Sequence, residues 1–260
     1  MAGGTEWTTP GTQAVPVRPV HSQMPSKTTI PASTCQSCAI RHECVLGRLG
    51  EAERALLEPH IRPRVFHRGD ALVVEGEIAS LVRILKLGTA FAYRRGLDGR
   101  SRPIGVINRG NAFGIFGMFE SPNQASGIAL TTIRICEIRV AALRDMSACR
   151  SQLLVQAVRA VTQNFAAMAA WSEAMRLPGL VNQLAYVVLL LADANKSSVV
   201  VLPSQSALAD LLGTRRETIA RALRALDCEG GIRRLERKRC EVYPSKLLMR
   251  LKQASNEERR

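Results

Sequence analysis

The run Ala141–Ala174 contains neither proline nor glycine and is rich in Ala, Leu, Gln and Arg, which predicts one long helix. It splits the sequence into two differently patterned halves. Before it, from Arg62 to Val140, short β-rich runs alternate with turns: Ala71–Val74, Leu81–Leu85, Ala90–Tyr93, Ile104–Ile107 and Ile128–Ile138, separated by signals such as Arg68-Gly69-Asp70 and Asp98-Gly99. Strands at this spacing predict a small antiparallel barrel or roll. After it, Pro178-Gly179 breaks the helix and Leu180–Ala192 starts another. The fold class expected is therefore α+β. Residues 1–34 carry Pro10, Pro16, Pro19, Pro25 and Pro31 with few large apolar side chains between them, and a disordered tail is expected there; a second short tail is expected at 251–260.

Within the long helix, Leu154, Val158, Val161, Phe165 and Met168 recur at alternating intervals of four and three residues, the seam of a two-stranded coiled coil. Periodicity alone equally allows a helix packed on its own β-domain. What favours a homodimer is the segment that follows, because two-fold DNA sites are read by two-fold proteins.

That segment, Ser204–Cys228, accommodates two amphipathic helices around a corner at Gly213, a residue with the conformational freedom such a corner needs. Ser204 is placed to cap the first helix. Leu208, Leu211 and Leu212, with small Ala209 at the crossing, face Ile219, Ala222 and Leu223 of the second. Its outward positions Arg216, Glu217, Thr218, Ala220, Arg221 and Arg224 mix base-reading and phosphate-reading chemistry: Arg suits the O6 and N7 acceptors of guanine, Glu the N4 donor of cytosine. Ile232–Glu236 and Arg239–Tyr243 then predict a basic hairpin, a wing able to touch phosphate.

Charge agrees with this reading. The 36 Lys and Arg against 22 Asp and Glu give +14 and a pI near 10.3, which favours double-stranded DNA as the partner. The most apolar run, Leu184–Ala192, is far short of the ~20 residues that span a bilayer, and residues 1–34 lack the basic-then-apolar order of a secretory signal. No membrane association and a cytoplasmic location are expected. No P-loop and no placeable Ser–His–Asp set is present, so an enzyme is not expected.

Seven cysteines in a reducing compartment are thiols or ligands more often than disulfides. Cys35, Cys38 and Cys44 stand as C-x2-C-x5-C, close enough in one loop to converge on one inorganic centre. A four-iron cluster needs a fourth thiolate, available from Cys136, Cys149, Cys228 or Cys240; the last two lie in the DNA module and read as structural thiols. A zinc site on Cys35, Cys38, Cys44 and His42 competes, as do free thiols acting as small hydrophobes.

The cysteine spacing, the text ALTTIRICEIRVAAL around Cys136, the long helix and the RETIAR segment together resemble the FNR oxygen-sensing branch of the CRP/FNR transcription regulators, from about Cys35 to Leu247. The resemblance implies a cysteine loop and short helix at 35–61, a cupin-like β-roll at 62–140, a dimerisation helix at 141–176 and a winged helix-turn-helix at 177–250. It also implies a 4Fe-4S cluster on Cys35, Cys38, Cys44 and Cys136, oxygen-controlled dimer alignment, and action on RNA polymerase at low-oxygen genes. Cyclic-nucleotide-binding relatives hold the cyclic phosphate with an arginine-serine pair; the matching stretch Gly110–Ser126 has no Arg, and a buried phosphate without a cation is costly. This argues against cyclic AMP, while leaving another effector, redox signal or nitric oxide as alternatives. Two positions depart from the FNR pattern: Ala220 replaces a usual Ser while Arg216 resembles the CRP branch, and Met168 stands where an acid is usual on the seam.

Overall fold

The computed structural model describes residues 35–145, 150–236 and 238–257. A loop of tight turns leads from Cys35 into helix α1 (Glu51–Leu57). Eight strands follow: β1 (Arg62–Phe66), β2 (Ala71–Val73), β3 (Leu81–Leu87), β4 (Ala90–Arg95), β5 (Ser101–Ile107), β6 (Ala112–Phe113), β7 (Ser126–Ala129) and β8 (Ile133–Arg139). They form two antiparallel sheets, ordered β1-β8-β3-β6 and β2-β7-β4-β5, the roll expected.

Alternation along the strands decides what each sheet face covers. Leu85 of β3 and Ile133 and Ile135 of β8 point into the roll with Leu72, Ile107 and Phe113. Val82 and Ile84 of β3, with Cys136 and Ile138 of β8, point the other way, and the cysteine loop closes over them with Ile40, Cys44, Leu46 and Leu49. The loop is thus the apolar cover of an outer sheet face. Glu137, between Cys136 and Ile138, is buried and held by Arg83 at 2.7 Å and Arg64 at 3.2 Å.

The run expected as one strand over Ile128–Ile138 is two. Residues 130–132 turn the chain from one sheet into the other, held by Thr89: its carbonyl accepts from the Leu130 N–H at 2.9 Å and its own N–H donates to Thr131 Oγ1 at 2.9 Å. The long helix likewise starts as a short α2 (Val140–Arg144), and α3 runs Arg150–Arg176; the 1–34 tail and Cys149 lie outside the described residues. One side of α3 packs on the roll through Leu153, Ala157 and Ala160.

Helix α4 (Leu180–Asn195), strand β9 (Val199–Val201), helices α5 (Gln205–Leu211) and α6 (Arg216–Cys228), strands β10 (Ile232–Arg234) and β11 (Arg239–Val242), and helix α7 (Pro244–Glu257) complete the chain. The wing strand β10 stops two residues short of the Glu236 expected. The hairpin also gains a third strand that sequence reasoning missed, giving the order β10-β11-β9. Nor is 251 the start of a tail: α7 continues to Glu257 and Leu251 is buried. One apolar core runs from Phe91, Val106 and Leu130 of the roll through Trp171 of α3 into Leu184, Val187, Val188 and Leu191 of α4 and on to Ile219 and Leu226. Trp171 meets Phe91 edge-on, ring centres 5.2 Å apart.

Candidate DNA-reading surface and cysteine-lined cavity

Helix α5 begins where expected. Ser204 Oγ accepts from the Ala207 N–H at 3.2 Å, satisfying one of the helix's open donors. Gly213 takes φ +61° at the corner, where a side chain would be strained, and the Thr214 N–H returns to the Ala209 carbonyl at 2.9 Å. Leu208, Ala209 and Leu211 are buried against Ile219, Ala222 and Leu223. That packing leaves Arg216, Glu217, Arg221 and Arg224 exposed along one side of α6, with Thr218 and Ala220 half-buried beside them. The wing adds exposed Arg233, Arg234, Lys238 and Arg239, some of whose charge is met by Glu241 at 2.7 Å from Arg233 and Glu236 at 3.1 Å from Arg239.

The second site lies under the cysteine loop. Cys35, Cys38, Cys44 and Cys136 line one small cavity together with Lys86 and Arg41. Cys136 arrives by strand register, directly across from Ile84 in the β3–β8 pair. Burial pushes the Cys136 thiol up to about 12 and the Cys35 thiol up to about 11, with neighbouring thiols adding to it and Lys86 opposing it. Cys44 also rises, chiefly through burial, although the Gly47 N–H donates to its Sγ at 3.1 Å. Gly47 admits no side chain, because a Cβ there would strike the Arg41 carbonyl. Buried Arg54 braces this turn by donating to the carbonyls of Gly47 and Leu49.

His42 is exposed and does not line the cavity, so the three-cysteine-plus-histidine set expected for zinc is not brought together. Cys240 is buried in the wing and Cys228 exposed on α6; neither approaches the loop cysteines. Among the described residues no group of three or more His, Cys, Asp or Glu is drawn close enough to hold a single metal ion. The four thiols ring a space rather than meet at a point. Sequence reasoning missed Lys86, whose place beside the thiols follows from lying two residues beyond Ile84 on β3.

A separate cavity of about 260 Å³ opens between the β-roll and α3, walled by Phe113, Ile115 and Ser126 on one side and Val161, Phe165 and Met168 on the other. Arg94 of β4, outside the Arg-free Gly110–Ser126 stretch, also lines it and stands 3.8 Å from Glu75. The expected seam on α3 is open: Phe165, which with Met168 also walls this cavity, is 71% exposed, Val158 63%, Leu154 42% and Met168 40%, while Val161 is half-buried on the loop-side core.

Residues 63–148 match the cyclic nucleotide-binding domain family, and residues 182–251 match the Crp-like helix-turn-helix domain family. The chain belongs to the CRP/FNR family of transcription regulators. Within that family it is 28% identical, over 75% of its own length and 90% of the relative's, to the CRP-like cAMP-activated global transcriptional regulator of Mycobacterium tuberculosis. Its fold resembles FixK2 of Bradyrhizobium japonicum (TM-score 0.59, 18% identity, 73% of this chain and 96% of that one). It also resembles a CRP-family regulator of Thermus thermophilus (TM-score 0.58, 20% identity, 73% and 96%). Membership makes α5–α6 the DNA-binding element and the chain a DNA-binding regulator, not an enzyme. No helix among the described residues is long and apolar enough to cross a membrane.

Proposed function

We propose that this CRP/FNR regulator senses oxygen through a 4Fe-4S cluster held by Cys35, Cys38, Cys44 and Cys136 and, as a homodimer, controls transcription of low-oxygen genes. The observation that carries the reading is the convergence of Cys136 with the three loop thiols on one cavity. The donor set fits: four thiolates are what such a cluster takes, and Lys86 and Arg41 offset negative charge that a dry pocket of thiolates would otherwise oppose. When bound, the cluster supplies an oxygen-labile inorganic centre. The open space is about 10 Å³, near that of one water, so the loop and its thiols would have to move apart to hold the cluster.

The chain's own residues do the rest. Ile40, Leu46 and Ile84 keep water from the cavity, and the Gly47 N–H steadies Cys44. The loop is thereby tied to β8, which runs directly into α2. Releasing the loop therefore uncovers Val82, Ile84 and Ile138 and loosens the base of α3, whose open seam pairs with its symmetry mate. Paired α3 helices set the two copies of α6 to enter neighbouring major grooves, from which contact with RNA polymerase follows.

The test is chain purified without air. About four irons and four sulfides per chain are expected, with a brown colour lost on replacing any one of the four cysteines by Ser and retained in Cys240→Ser. A colourless protein with stoichiometric zinc would refute the reading. A second reading draws on the 260 Å³ cavity against α3: an uncharged small effector seated there would press on Phe165 and Met168. Saturable binding of such a compound by iron-free protein, with a change in DNA affinity, would favour it.

A further inference from the structure

The cysteine loop also reaches the DNA-binding domain by a route that bypasses the dimer seam. Glu43, immediately before Cys44, grips Arg109 with both oxygens: Nη2 to Oε1 at 2.6 Å and Nε to Oε2 at 3.2 Å. Arg109 lies in the turn between β5 and β6. Its N–H donates to the carbonyl of Ala194 at 3.0 Å, in the last turn of α4. The next residue, Gly110, takes φ +88° and its N–H donates to the Leu85 carbonyl at 2.8 Å; a Cβ on it would stand 2.7 Å from the Glu43 carbonyl. Asn111 then donates to Asn164 Oδ1 of α3 at 3.0 Å. Three consecutive residues therefore touch the cysteine loop, strand β3, α3 and the end of α4.

What α4 does at that end matters for the reading head. Its chain reverses through Lys196, one of two non-glycine residues with positive φ among the described residues (φ +49°), and enters β9, the wing strand paired with β11. Arg109 thus holds the last turn of α4 just before the bend that leads into the winged helix. A bidentate guanidinium–carboxylate pair is directional, so withdrawal of Glu43 leaves the guanidinium without the anchor that orients this turn.

We propose that Arg109 is a positioning residue that couples the state of the cysteine loop to the seating of the DNA-binding domain within a single subunit, through Glu43 on one side and Ala194 on the other. The inference rests on the loop being the sensing element, as proposed above. The expected coupling lies at the lower end of the usual range, about five-fold or more in affinity.

The experiment uses the full chain as Glu43→Gln, Arg109→Gln and the exchanged pair Glu43→Arg with Arg109→Glu. DNA affinity is measured with iron loaded and removed, alongside iron content, sedimentation and hydrogen exchange of residues 190–197. In each single variant, iron content and dimerisation are expected to stay at the parent's level while the loaded-to-stripped affinity ratio falls about five-fold or more. Exchange at 190–197 in the loaded form rises toward that of the stripped form, and the exchanged pair recovers both. An unchanged ratio and unchanged exchange in variants that load iron normally overturn the coupling. If the parent itself holds no iron, the cluster reading alone fails, and the loop is then perturbed by alkylating its thiols with N-ethylmaleimide. A rise in exchange at 190–197 that the parent shows and Arg109→Gln lacks supports the coupling, and equal rises in both overturn it.

Discussion

Replacing Phe165 by Ala isolates the dimer seam. Phe165 is 71% exposed in the single chain, the most open of the seam residues, while Leu153, Ala157 and Ala160 on the opposite side of α3 are buried. Its loss therefore leaves the subunit's own packing nearly intact. Fully burying a Phe side chain is worth about 1.5–3 kcal/mol, and roughly two-thirds of that remains to be gained on pairing. The pair of symmetric rings then contributes about 2–4 kcal/mol to association. By the ten-fold-per-1.4 kcal/mol relation, the dimer dissociation constant should rise by about 30-fold to several hundred-fold. Sedimentation equilibrium of the loaded form across nanomolar to micromolar concentration measures it, with the unfolding midpoint as control. A dissociation constant within about two-fold of the parent's, with the fold intact, would show that α3 does not pair along Leu154, Val158, Phe165 and Met168.

Met168→Asp should place like charges on that seam, which oppose association when brought together without water; the iron-free protein, expected to remain partly dimeric as parent, then becomes monomeric by sedimentation at micromolar concentration. Arg216→Ala should weaken DNA binding by about 1–3 kcal/mol and erase a preference for TGTGA-like over TTGAT-like half-sites, read by selection from random DNA; retained preference means that Arg216 touches phosphate. Trp171→Ala, at a fully packed edge-on contact with Phe91, should lower stability by about 3–5 kcal/mol in urea unfolding, whereas a loss below 1 kcal/mol would mean that the contact is not maintained in solution.

The parts legible in the sequence were those specified by near neighbours. The Ser204 cap, the Gly213 corner and the buried face of α6 depend on residues a few positions apart, and each is found as expected. The break in Ile128–Ile138 was not legible, since its turn is held by Thr89 from the turn between β3 and β4 and no period within the run marks the passage between sheets. Residue chemistry alone left the fourth thiol open among four cysteines, with Cys136 pointed to only by resemblance. Its position depends on the pairing of Ile84 with Cys136 and on the pleat that turns both toward the loop. Arg109 and Glu43 carry no local signal at all, because their meeting is set by how the loop folds over the roll. Met168, drawn from periodicity as a seam residue, proves to serve two surfaces: it is partly exposed on α3 and also walls the roll cavity.

The continuous core through Phe91, Trp171, Leu184 and Leu223 bears on how this protein can be taken apart. Sensor and reader are distinct in outline but share their interior, so neither half carries a finished apolar surface of its own. A separately expressed winged helix would expose the α4 side chains that Trp171 and the roll now cover, and a chimera joined near Pro178 would need its new partner to reproduce that contact. Heating the intact chain should accordingly give one calorimetric transition rather than two. Exchange of modules between regulators built this way is constrained by the fit of one buried seam, not by the length or composition of a linker.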